Sequence, residues 1–64
     1  MTRVRRGGYV FITWVGDHSP RHVHVLRDSR LVLKWNLDRH RPMEGVPTAK
    51  LVALIRELES EGLL

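Results

Sequence analysis

From Tyr9 to Val15 the chain reads Tyr-Val-Phe-Ile-Thr-Trp-Val, apolar, aromatic or β-branched at almost every position. A run of this kind suits a strand covered on both faces better than a half-exposed one, and it predicts a central strand. Gly16-Asp17-His18-Ser19-Pro20 then reads as a turn, because Gly permits positive φ, Asp bonds the backbone ahead of it and Pro fixes its own φ. His22 to Leu26 alternates, so that Val23 and Val25 share one face and His22 and His24 the other. Arg27-Asp28-Ser29 makes a short connection into Arg30 to Trp35, where Leu31, Leu33 and Trp35 oppose Arg30, Val32 and Lys34. Residues 36–46 have no sustained period and read as a loop with room for a short extra strand. From Pro47 the period becomes helical: Leu51, Leu54, Ile55 and Leu58 form one apolar face, Pro47 or Thr48 suits the first turn and Gly62 the end.

These elements predict an α+β fold, a three- to four-stranded antiparallel meander with one C-terminal helix packed on one face. The expected organisation is a single small domain: a basic arm over 1–7, the meander over 8–35, a loop over 36–46 and the helix over 47–61. At 64 residues the chain buries only about 60% of its unfolded surface, and with no cysteine it has neither a disulfide nor a zinc–thiolate site to supplement its core. A homo-oligomer or a heterocomplex is therefore expected. The lack of cysteine, of a long apolar run and of a signal-peptide pattern leads to the expectation of a cytoplasmic protein without membrane contact.

Charge then narrows the choice of partner. The chain carries +4, and the bases are unevenly placed: Arg3, Arg5, Arg6, Arg21, Arg27, Arg30, Lys34, Arg39 and Arg41 precede Pro42, and only Lys50 and Arg56 follow it. Most are arginine, whose planar fork matches phosphate. An anionic partner such as RNA is indicated, with Arg3, Arg5, Arg6, Arg21, Arg39 and Arg41 as the nucleic-acid-binding candidates. Tyr9 and Phe11 invite comparison with base-stacking sheets, although the core is the stronger claim on both. Glu57, Glu59 and Glu61 make an acidic outer end of the helix to which a second copy or a cognate protein would dock electrostatically.

The densest chemistry lies in residues 16–25, GDHSPRHVHV. In its plainest reading Asp17 bonds its own turn, His18 satisfies carbonyls, and His22 and His24 occupy the wet face of a strand. In a metal reading His22 and His24, about 6.5 to 7 Å apart at Cα on one strand face, bind one ion with His18 as third ligand and Asp17 ligating or orienting a ring. No cofactor is required by this sequence, and zinc is the ion that imidazoles without thiolates would take. In a catalytic reading His22 and His24 are the acid and base of a ribonuclease, His18 is the substitute, and Arg21 clamps phosphate. Whether the chain is an enzyme is left open by these residues. Glycine-rich phosphate loops and nucleophile elbows are lacking.

Asp17-His18-Ser19-Pro20-Arg21-His22-Val23-His24-Val25, preceded by Gly8-Tyr9-Val10-Phe11-Ile12 and followed by a Pro47-led helix, resembles a family of small bacterial domains of unknown function, family forty-one-sixty. Its signature is Asp-His-x-Pro-Pro-His-x-His-Val. Arg21 stands where the family has its second proline, which loosens the turn and adds a cation. The resemblance implies a toxin–antitoxin-like setting and brings no established chemistry. A small basic interaction domain that binds RNA or a cognate protein is the reading that follows.

Overall fold

The computed structural model describes residues 2–14 and 21–64. Among them are five strands, β1 (Thr2–Arg6), β2 (Tyr9–Thr13), β3 (His22–Arg27), β4 (Arg30–Asn36) and β5 (Arg41–Gly45), and one helix, α1 (Ala49–Ser60). The strands pair antiparallel in chain order as one five-stranded meander. The α+β class is as expected, with five strands in place of three or four. The turn expected at 16–20 lies outside the described residues.

Beyond the three strands of the predicted core, the other two are the edges of the sheet. The expected basic arm is β1: Val4 pairs with Phe11 and Arg6 with Tyr9, so Thr-Arg-Val-Arg-Arg follows the two-residue period of a strand. Gly7 and Gly8, at φ 62° and 83°, supply the tight two-residue turn that returns the chain into β2. The short extra strand allowed for within 36–46 is β5, whose residues Arg41 to Gly45 are all exposed. A strand with no buried position has no hydrophobic alternation to show; its pairing with β4 defines it.

One sheet face carries the core. Phe11, Val23, Val25, Leu33, Trp35 and Leu37 are buried against Leu51, Ile55 and Leu58 of α1. Phe11 is completely buried, so the core reading holds for this ring. Tyr9 packs at the edge of the same cluster, with Arg27 Cζ and Lys50 Nζ each 5.6 Å from its ring centroid, a placement in which the ring's negative face meets cations. Thr48 caps α1, its hydroxyl accepting from the Leu51 N–H at 3.2 Å. At the other end the Gly62 N–H donates to Glu59 O and the Leu63 N–H to Leu58 O, the paired bonds that close a helix C-terminus.

Two local devices fix the sheet next to the histidines. The buried Asn36 accepts from the N–H groups of Asp38 and Arg39 through Oδ1, both at 2.9 Å, and shapes the turn between β4 and β5. That turn holds the start of β3: the Arg21 N–H donates to Asp38 Oδ2 at 2.9 Å, and the Leu37 N–H donates to Arg21 O at 2.8 Å. On the other side of β4, Gly45 sits opposite Leu33 at φ 87°, where an added Cβ would lie 2.2 Å from the Val32 carbonyl oxygen. β5 can approach β4 this closely only with glycine there.

Candidate nucleic-acid interface

α1 covers one face of the sheet, and the strand register specifies what stands on the other. Residues paired across neighbouring strands share a face. Arg3 pairs with Ile12, Ile12 with His24, His24 with Lys34, and Lys34 with Glu44. This single row takes one residue from each strand and crosses the whole sheet. Beside it run Arg5–Val10–Leu26 and His22–Asn36–Arg41. The open face thus alternates cations with a strip of half-buried aliphatic side chains, Val10, Ile12 and Leu26.

The histidines fall on this face. The rings of His22 and His24 have centroids 5.1 Å apart at an interplanar angle of 63°, and Trp14 meets His24 edge-on at 4.7 Å. Alternation in β3 brings them together as the sequence predicts. His18 and Asp17, the other members of the expected metal set and of the catalytic alternative, lie outside the described residues. Among the described residues no group of three or more His, Cys, Asp or Glu is placed to hold a metal ion.

The expected nucleic-acid residues divide. Arg3 and Arg5 are exposed on β1 and point to the open face by register, and Arg41 lies on the same face at the far edge. Arg21 is exposed immediately before His22, and Arg39 is exposed on the β4–β5 turn. Arg6 is diverted. Its guanidinium forks onto Glu61, with Nη2 2.9 Å from Oε1 and Nη1 bonded to Oε2, and Nη1 also reaches Glu57 Oε1 at 2.8 Å. The acidic end of the helix, expected as a docking site for a partner, is thereby answered in part by the chain's own β1, because Arg6 alternates onto the helix side.

The Arg6 hydrogen bond, aided by its charge and opposed by partial desolvation, holds the Glu61 carboxyl below its ordinary value; hydrogen bonding to Glu61 raises Arg6 in turn. A depressed carboxyl contributes stability that is present above its unfolded value, near 4.3, and is lost as pH falls through the folded value. The Arg6 contribution is present below its own unfolded value and fades only in strong alkali. Glu61→Gln is therefore expected to lower the melting temperature slightly at pH 7, and this difference should shrink toward zero as the pH is taken down to about 2 and the wild-type carboxyl gains its proton. An equal difference at both pH values would contradict the clasp.

Lys34, Val10, Ile12, Leu26 and Trp14 belong to this surface although the sequence alone did not assign them to a site. Their signal lies in the period: once Arg3 and Arg5 belong to a strand, the register extends the basic face to Ile12, His24 and Lys34. No helix among the described residues is long and apolar enough to cross a membrane. In comparisons with known proteins the chain matches no family model, no curated protein and no solved structure.

Proposed function

We propose that the protein binds single-stranded RNA on the open face of its sheet. The observation that carries this reading is the row Arg3–Ile12–His24–Lys34–Glu44, flanked by Arg5 and Arg41, in which cations border an aliphatic strip on the side of the β-sheet opposite α1. Sheet faces suit unpaired nucleotides because bases lie flat on apolar or aromatic side chains while guanidinium and ammonium groups meet the phosphates. The half-exposed Trp14, beside His24, supplies a ring at the margin of that surface. Bacterial toxin–antitoxin-like pairs, the setting that the resemblance to family forty-one-sixty implies, are a context in which a small basic RNA binder would act.

A second reading draws on the His22–His24 pair, whose ring centroids are 5.1 Å apart. One neutral imidazole takes the proton from a 2′-hydroxyl as that oxygen attacks phosphorus, and the other, protonated, gives its proton to the departing 5′-oxygen. Nearby arginines offset the charge on the phosphorane.

Fluorescence anisotropy with a labelled single-stranded RNA tests the first reading, and a gel of the same samples in chelator tests the second. We expect micromolar binding near 0.1 M salt, with log K falling against log salt at a slope of about −2 to −3, from three to four phosphate contacts at roughly 0.7 each. No response at low salt, or a slope near zero, would overturn RNA binding; a mass above one chain in the same buffer would then transfer the face to a protein partner or a second copy. Cleavage in chelator that disappears in His22→Ala/His24→Ala would establish the enzyme, and intact RNA would leave a binding module.

A further inference from the structure

At the end of the open face nearest the β1–β2 and β3–β4 turns the surface sinks into a groove of about 420 Å3, within the roughly 300 to 1,000 Å3 typical of small-molecule sites. Val10, Ile12 and Leu26 from the central strands line it. Arg3 and Arg5 border it on the β1 side, and Asp28 and Ser29 on the side of the β3–β4 turn.

We propose, resting on the RNA-binding reading above, that this groove holds one unstacked nucleotide and favours guanine. Each part of the lining has a chemical counterpart in such a ligand. The two guanidiniums suit the phosphates on either side of the nucleotide, and they act as forks as well as charges. The aliphatic floor suits a base face and offers it no hydrogen bond, so the floor alone accepts any base. Discrimination falls to Asp28.

Asp28 and Ser29 form the two-residue turn between β3 and β4, with φ 51° and 64°. The Asp28 carboxylate makes no ion pair or side-chain hydrogen bond among the described residues, although Arg3 and Arg5 line the same groove. An ionised carboxylate has acceptors only, two oxygens side by side. Guanine presents two neighbouring donors on its Watson–Crick edge, N1–H and the N2 amino group, and can satisfy both oxygens at once. Adenine and cytosine each set one amino donor next to an acceptor, and uracil sets one N–H between two carbonyls that the carboxylate repels. The Ser29 hydroxyl, donor or acceptor by rotation, adapts to the base's remaining edge.

The test is anisotropy with four short oligouridines that differ only in the central nucleotide. The guanosine version is expected to bind about tenfold more tightly than the uridine version, the low end of what one bidentate contact discriminates. Asp28→Asn should reduce that preference to within about twofold and leave oligouridine affinity equal or tighter. Asn tolerates positive φ at least as well as Asp, so the turn survives, and an unchanged melting temperature verifies it. If all four oligonucleotides bind the wild type alike, or Asp28→Asn keeps the preference, the guanine assignment is overturned while RNA binding stands. If none binds, both fall.

Discussion

Gly45→Ala is expected to remove a large share of the native stability. The substitution places a Cβ 2.2 Å from the Val32 carbonyl oxygen and 3.0 Å from Leu33 Cα, and both contacts are with backbone that no rotamer change can move. Left-handed φ in an L-residue costs about 1 to 2 kcal/mol, and relieving an overpacked contact typically another 1 to 3 kcal/mol. The sum, roughly 2 to 5 kcal/mol, is a large share of the 3 to 10 kcal/mol expected of a domain this size at about 0.05 to 0.15 kcal/mol per residue. Gly8→Ala separates the two causes. Gly8 has φ 83°, but a Cβ added there would meet no atom within 4 Å, so only the conformational cost of about 1 to 2 kcal/mol applies. Urea titrations followed by circular dichroism decide the matter: a Gly45→Ala midpoint no lower than that of Gly8→Ala would show that β5 does not need its close approach to β4.

Arg3→Glu/Arg5→Glu should weaken RNA binding about 100-fold near 0.1 M salt and make the log–log salt slope shallower by about 1.4, two contacts at roughly 0.7 each. Both side chains are exposed, so the melting temperature should stay within a few degrees of the wild type. Arg6→Gln is the control. It removes a cation one residue away in sequence but on the helix side, where Glu57 and Glu61 hold it, and it should cost some stability without changing the slope. Equal losses of affinity from the two variants would mean that charge count, and not the open face, governs binding.

The interior of the fold is legible in the sequence and its margins are obscure, for a physical reason. β2, β3 and β4 bury Phe11, Val23, Val25, Leu33 and Trp35, and burial imposes the apolar alternation by which strands are read. β1 buries none of its residues completely, and β5 buries none at all. Their order comes from hydrogen bonds to a neighbour, which any residue except proline can make, so composition there speaks of charge and of loops. Gly7-Gly8 is the available hint for β1, as a two-residue turn with both φ values positive.

The candidate site follows the same division. The pairing of His22 with His24 is readable from β3 alone, because two residues along one strand settle it. That Arg3 and Arg5 belong with Ile12, His24 and Lys34, and that Arg6 does not, depends on β1 being a strand in a specific register. A tail would have kept the three arginines equivalent; a strand separates them onto opposite faces.

The two rims of the sheet have a consequence for assembly. Pro42 in β5 has no N–H to give a strand laid alongside it, and β1 would bring Arg3 and Arg5 against the same charges in another copy. Growth of the sheet from chain to chain is discouraged at one border by a missing donor and at the other by repulsion. Contacts with other molecules are left to the broad sheet surface between them, on the side away from α1.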